Sequence, residues 1–441
     1  MQSAEKYFIG IDVGGTKVYG GLVTPAGAVA AQHKEATPPK AGPKEVLEVI
    51  EKLVRELLKA GGVPFKSVIG LGVAVPGIVD NTGRVVVTPN IGLSGMDLKK
   101  VLEKKYKVRV VVGNDVNFGV MGEKWLGAGR KAPNIIGIFP GTGVGGGVIV
   151  KGAFVTGHQG AAAELGHMCV DPKGPLCTCG NAGCLEAVVG RWAIERDIRA
   201  AVRKGEKSII TDLSGQKFTQ IKSGTIAKAL KAKDPVVTRI VAHAAETLAA
   251  ACVSLNHVFN TEVFIFGGGM IEACGDFFLP RIEKALKKDP FFKDLQTPKV
   301  LVAKLGDDAG MLGAVAAVRQ GLDLKAITGA YYPKLRLLAS GKVAVNATLI
   351  EKPFYVRADG KLKEPDEFVP PHITSDLVEE LTKKGPDALF IAVGKNKRLT
   401  FSPKAARYLK KKKIAAYILP LARVVKAYNL SEERKAVFFY L

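Results

Sequence analysis

Short apolar runs broken by glycine turns alternate along the chain with longer stretches of helical periodicity. Tyr7 to Asp12 reads as a strand, Gly14-Gly15-Thr16-Lys17 as a tight turn, and Val18 to Val23 as a returning strand. Two apolar runs joined in this way predict a hairpin rather than a strand-to-helix turn. Residues 44–60 place Val46, Leu47, Ile50, Leu53, Val54, Leu57 and Leu58 on one stripe with charges opposite, which predicts an amphipathic helix stopped by Gly61-Gly62. A strand over Val68–Val75 and a hairpin through Asp80-Asn81-Thr82-Gly83 follow. The strand over Val108–Val112 then runs into Gly113-Asn114-Asp115 and a helix to about Trp125.

The pattern then repeats. Ile135–Phe139 is a strand, Gly141 to Gly147 a glycine turn, and Val148–Val150 the return. Helices follow, including a long one over Pro235–Asn260. A strand over Val263–Phe266 meets Gly267-Gly268-Gly269, and a helix from about Ala309 to Gln320 closes this part. Two lobes that each open on a glycine hairpin resemble a duplicated nucleotide-binding core with a cleft between them. From residue 331 the character changes. Short β-like runs over Val343–Ile350 and Pro353–Val356, helical segments near 374–384 and 403–412, and a final strand Ala436–Tyr440 predict a separate small α/β domain.

Composition sharpens this picture in three places. With 441 residues, 47% apolar and 24% charged, the chain is a folded protein of two or three domains. Its net charge is +23, but the charge is spread, with 22 Lys/Arg against 11 Asp/Glu in residues 331–441. No basic segment alternates with aromatics, so specific nucleic-acid binding is not expected and the basic balance reads as a lysine-rich surface. No uninterrupted apolar run reaches the roughly 18–20 residues of a membrane helix, and the pattern of the opening residues predicts no export segment. A cytoplasmic protein is expected, and there a crowd of three cysteines favours metal over disulfides.

Five groups of residues can carry chemistry. In Asp12-Val13-Gly14-Gly15-Thr16-Lys17 the glycines let main-chain N–H groups crowd around phosphate oxygens, while Thr16 and Lys17 add a hydroxyl and a charge. Asp12, at a strand end, is placed to hold the hydrated Mg²⁺ that accompanies ATP. Gly141-Thr142-Gly143 offers a second such loop, and Gly268-Gly269 a flat bed for a base or ribose. Asn114-Asp115 stands at the C-terminal end of a strand, the edge where open α/β sheets bind ligands. There Asp115 suits the acceptance of a hydroxyl proton in phosphoryl transfer, or else it simply caps the next helix. Finally, His167 with Cys177, Cys179 and Cys184 supplies one imidazole and three sulfurs in a compact span, the donor set of a closed structural zinc site. That site would pin a loop carrying Glu164 and Glu186.

The segments DVGGTK, VPG, TPN, GNDVN, GTGVGGG, ELGH, CTCGNAGCLE, FGGG and GDDAG appear in an order that resembles the ROK family (repressors, open reading frames and kinases) from about residue 6 to 325. The resemblance implies a two-lobed actin-like ATPase (ribonuclease H-like) sugar kinase core. Its N-terminal lobe would span 1–118 plus 306–325 and its C-terminal lobe 119–305, with the accessory domain over 331–441. It further implies Asp115 as catalytic base, and Asn90, Asn114, Glu164, His167 and Glu186 as sugar contacts. His167 would serve twice, one nitrogen on zinc and the other toward the sugar. The glycine hairpins would hold the ATP phosphates and Gly268-Gly269 would border the adenosine. A hexose kinase acting on glucose is the first expectation, with fructose or an N-acetylhexosamine as alternatives. Family repressors carry a winged helix-turn-helix before the first strand, and about six residues precede it here, so a sugar-binding regulator is the weaker reading. Small-molecule sugar and ATP are the expected partners, and a homo-oligomer (dimer or tetramer) the expected assembly.

Residues 331–441 resemble the Mth938-like small domains. A strand ends in a glycine loop, Phe401-Ser402-Pro403 opens a helix, and Tyr428-Asn429 precedes the final strand. Ser402 and Pro403 read as N-cap and first residue of that helix, and Lys410–Lys413 as its cationic end.

Overall fold

The computed structural model describes residues 6–39, 41–89, 91–214, 221–321, 335–338, 342–345, 348–350, 353–357, 362–363, 372–383, 385–393, 399–430 and 435–440. It forms two compact units, Met1–Gly321 and Leu322–Leu441.

The first unit contains two five-stranded sheets of the same design. One is built from β1 (Tyr7–Val13), β2 (Lys17–Val23), β3 (Val29–Ala36), β4 (Val68–Val75) and, after the small hairpin β5 (Ile78–Val79) and β6 (Val85–Val87), β7 (Arg109–Asn114). Its order is β3-β2-β1-β4-β7. The other uses β8 (Ile135–Pro140), β9 (Val144–Val150), β10 (Ala153–Phe154), β11 (Val263–Phe266) and β12 (Lys299–Val302) in the order β10-β9-β8-β11-β12. Each sheet begins with an antiparallel hairpin and continues with parallel strands. The duplicated core expected from the glycine hairpins is therefore present.

The helices are α1 (Pro43–Gly61), α2 (Leu98–Tyr106), α3 (Asp115–Trp125), α4 (Glu186–Val189), α5 (Arg191–Arg203), α6 (Ile210–Leu213), α7 (Ser223–Lys231), α8 (Pro235–Phe259), α9 (Gly269–Lys287) and α10 (Asp308–Gly321). In α1 the predicted stripe turns inward, with Val46, Ile50, Leu53, Val54 and Leu57 buried. Pro43 starts it, and Gly62 ends it in the left-handed region at φ 63°, its N–H returning to Leu58 and Lys59 carbonyls. Among the described residues α8 alone is long and apolar enough to cross a membrane. It is a core helix here, its Val237, Val241, Ala244, Ala245, Leu248 and Cys252 closed inside the second lobe's core with Phe278 and Ile282 of α9.

Helix α10 completes the core of the first lobe by backbone-close packing. A Cβ on Gly313 would stand 1.6 Å from the Phe118 carbonyl oxygen in α3, and one on Gly72 in β4 would stand 2.0 Å from that of Ala314. The glycines thus let α10 lie directly on α3 and the first sheet. One expectation changes in the second lobe. Gly145, Gly146 and Gly147 are not turn residues but lie inside β9, paired with β8. Cβ atoms there would meet Val116 at 2.5 Å, Leu165 at 2.6 Å and Val120 at 2.9 Å respectively. These glycines make room for α3 and the 165–167 segment, and the true turn is confined to Gly141–Gly143.

In the second unit, the strands 354–356, 362–363, 388–393, 415–420 and 435–440 form one sheet with both faces covered. Along Ala388–Val393, Ala388, Phe390 and Ala392 join Val424, Val425 and Tyr428 on one side. Leu389 and Ile391 join Val378, Leu381, Ala405 and Leu409 on the other. The two-residue alternation of a strand thus builds two cores at once. Ser402 caps the helix Pro403–Lys412 by accepting from the Ala405 N–H at 3.2 Å, and Lys413 closes it at φ 57°.

Candidate active site

Asp12 stands at the C-terminal end of β1 and Asp115 directly after β7, on the same edge of the first sheet. Asn114, not Asp115, caps α3: its Oδ1 accepts from the Asn117 N–H at 2.9 Å, and its Nδ2 donates to the Gly77 carbonyl at 2.9 Å. Asp115 is thereby released from capping duty and becomes the first helical residue, its Oδ1 accepting from the Val116 N–H at 2.8 Å. Burial pushes its carboxyl up to about 6, against the pull of these backbone donors. Asp12 is raised to about 7, chiefly by burial and then by the negative charge of Asp115, with Lys17 opposing. Asp12, carrying both its burial and a like charge, is a carboxylate that welcomes a cation or a proton.

Glu164 belongs to the same electrostatic group. Burial raises its carboxyl first, the His167 ring opposes, and Asp115 and Glu186 add like charge. Glu186 opens α4 and ties two loops together. Its Oε2 accepts from the Val144 N–H at 2.9 Å and its Oε1 from the Thr178 hydroxyl at 3.3 Å. Any side chain at Gly143 would collide with it, a Cβ there lying 2.2 Å from Oε2. Asn114, Asp115, Glu164, His167 and Glu186 therefore converge, whereas Asn90 lies outside the described residues.

The cysteine knuckle is folded by its own backbone. Cys177 N–H donates to the Asn181 carbonyl at 2.8 Å and Gly180 N–H to that of Cys177 at 3.0 Å, with Gly180 at φ 95°. This turn brings one atom each of His167, Cys177, Cys179 and Cys184 within 4.8 Å of one another. Cys179 and Cys184 sulfurs are 3.6 Å apart, and Cys177 Sγ stands 3.7 Å from His167 Nδ1. A disulfide needs about 2.05 Å. Ligands about 2.3 Å from a tetrahedral ion are spaced by about 3.8 Å, so the cluster is compatible with zinc. Burial raises the Cys177 thiol and pushes Cys184 up to about 12, whereas the Asn181 N–H lowers Cys179. Ion binding would displace these protons.

On the nucleotide side, Gly14 N–H closes the first turn on the Lys17 carbonyl at 2.9 Å, with Gly15 and Thr16 at its tip. Lys17 Nζ reaches Asp307 at 2.9 Å, while Tyr19 and Gln32 hydrogen-bond Asp308. Gly268, at φ 82°, precedes α9, and Gly269 begins it. Two further residues, silent in the sequence pattern, join these segments. Glu123, fully buried, accepts from the N–H groups of Ala128 at 2.7 Å, Lys304 at 2.7 Å and Leu305 at 2.8 Å, fixing the far end of α3 to the segment that enters α10. Arg191 sits against Thr142. Neither stands in a motif; each is defined by partners far away in sequence.

Paired sheets of this order, with acidic groups at the strand ends between them, define the two-lobed actin-like ATPase fold of sugar kinases. The chain belongs to the ROK family, whose model matches residues 8–321. It is 34% identical over 315 residues to a glucokinase of Thermotoga maritima, covering 71% of this chain and 97% of that one. A xylose repressor of Caldicellulosiruptor bescii is 29% identical over 278 residues, covering 62% and 68%. Among solved structures, a ROK family glucokinase from Streptomyces griseus in complex with glucose and AMPPNP is 32% identical, with a TM-score of 0.59, covering 71% of this chain and all of that one. The ROK hexokinase from Thermus thermophilus gives 28% and a TM-score of 0.62, covering 71% and 98%.

Proposed function

We propose that this protein is an ATP-dependent hexose kinase, with glucose as first substrate and glucose 6-phosphate as product. The observation that carries the proposal is Asp115, freed from capping by Asn114, buried, and sharing with Glu186 the like charge felt by Glu164. Relatives named as glucokinases support it, as does the relative bound to glucose and AMPPNP. The sugar lies against Asn114, Glu164, His167 and Glu186, with Asn90 as a further contact. Asp115 takes the proton of the hydroxyl as its oxygen attacks the γ-phosphate in line. Main-chain groups of Gly14, Gly15, Thr16, Lys17, Gly141, Thr142 and Gly143 cradle the phosphates, and Gly268-Gly269 borders the adenosine. Asp12 would hold, through water, the Mg²⁺ that neutralises phosphate charge when bound. His167 Nδ1, Cys177, Cys179 and Cys184 would hold a zinc ion whose contribution is structural, leaving His167 Nε2 for the sugar. Closure of the lobes excludes water and so limits ATP hydrolysis. Fructose or an N-acetylhexosamine is the alternative substrate.

The repressor relatives favour a second reading, a sugar-binding regulator without turnover. A coupled ADP-release assay over hexoses and N-acetylhexosamines separates the two. The kinase gives sugar-dependent ADP with one preferred sugar. Saturable sugar binding with no ADP from any of them would overturn it.

A further inference from the structure

We propose that Arg191 is a positioning residue for the nucleotide, acting through Thr142 and Ile221. The proposal rests on the kinase reading and deepens it, by naming the side chain that holds the two nucleotide-facing segments in register.

Arg191 is the first residue of α5, where the positive end of the helix dipole disfavours a cation. The helix dipole therefore gives no reason for it, and the i,i+4 pair with Glu195 is its one contact within the helix. Its side chain is largely buried, at 14% exposure, and its contacts point in three directions. One terminal nitrogen donates to Thr142 Oγ1 at 3.0 Å. The other donates to the Ile221 carbonyl at 3.3 Å and meets Glu195 at 3.5 Å. Glu195 is in turn held by Arg199 at 2.6 Å, so the guanidinium is braced from behind. The backbone adds two bonds to the same loop, Arg191 N–H to the Gly141 carbonyl at 3.1 Å and Trp192 N–H to that of Thr142 at 3.2 Å.

Both ends of this bridge face the expected nucleotide. Gly141–Gly143 is the phosphate loop. Ile221 leads into Ser223, whose Oγ would lie 3.5 Å from a Cβ at Gly269, beside the expected adenosine bed. A hydroxyl has one proton and two acceptor lone pairs. With a lone pair of Thr142 Oγ1 engaged by Arg191, its own O–H is left to donate to a phosphate oxygen. The guanidinium also adds positive charge immediately behind that loop. Lysine could not replace it, because a single ammonium lacks the rigid fork that reaches Thr142 and Ile221 together.

The test compares the full chain with its Arg191→Ala and Arg191→Lys variants, using equilibrium binding of a non-hydrolysable ATP analogue and separate KM values for ATP and sugar. Both variants should weaken nucleotide affinity and raise KM for ATP by about 10–100-fold, with KM for sugar within about twofold. Millimolar guanidinium ion should partly restore nucleotide affinity to Arg191→Ala but not to Arg191→Lys, an effect that general loosening would not produce. Unchanged nucleotide affinity, or equal losses for nucleotide and sugar, would overturn the proposal. If Arg191→Ala does not fold, Arg191→Lys with normal zinc content decides by the same criterion. Wild-type protein that binds no nucleotide would instead remove the kinase reading, and this inference with it.

Discussion

At the scale of single residues, chemistry here follows from which of two neighbours caps a helix. Asn114 takes the capping bond, so Asp115 keeps its carboxylate for the cleft. Asp115→Asn should lower kcat by about 10²–10⁴-fold while leaving sugar binding near its wild-type strength, measured by titration calorimetry. Substantial remaining turnover would remove Asp115 from its role. The raised carboxyl also fixes a pH dependence. A base must be ionised to accept a proton, so kcat/KM for the sugar should fall about tenfold per pH unit below about 6 and flatten above it. A profile flat down to pH 4.5 would contradict the buried setting. The motif containing Asp115 was legible in sequence, but the choice between base and cap was not, because it depends on an Asn114 side-chain rotamer. Glu123 and Arg191 were illegible for a related reason: their partners lie 181 and 49 positions away.

Among the elements, hairpins and amphipathic helices were legible because their determinants are local: glycine turns, alternation, and the stripe of α1. Strand β3 carries no such signal, since its exposed edge has Gln32, His33, Lys34 and Glu35 in place of an apolar run. The glycines over 141–147 suggest a longer turn than exists, because only packing by Val116, Val120 and Leu165 explains glycines inside a strand. The cysteine knuckle was legible from spacing alone, and it links to Glu186 through Thr178. Cys179→Ser should therefore abolish bound zinc, read by atomic absorption, and raise KM for the sugar at least about tenfold. Retained zinc would refute the ligand set. The α3–α10 crossing gives a stability prediction. Gly313→Ala should cost about 3 kcal/mol or more in urea unfolding, because its Cβ meets backbone that cannot swing aside. A loss under 1 kcal/mol would show that the helices can separate cheaply.

For the molecule as a whole, the family match ends where the first compact unit ends, at residue 321. Both cores of the second unit are its own. Residues 1–321 made alone should fold and keep sugar-dependent ADP release within about twofold of the full chain. Collapse of that activity would make the second unit part of the enzyme rather than an accessory. The late position of α10 bears also on how the protein is made. The apolar cluster that Ala74, Phe118 and Met121 form with α10 cannot close until residues 308–321 have been synthesised, so a ribosome must finish the second lobe before the first is complete. Residues 322–441 add 120 more (441 − 321). At about 5–20 residues per second they take roughly 6–24 s to translate, time in which α10 can leave the ribosome and dock while the nascent chain is still tethered.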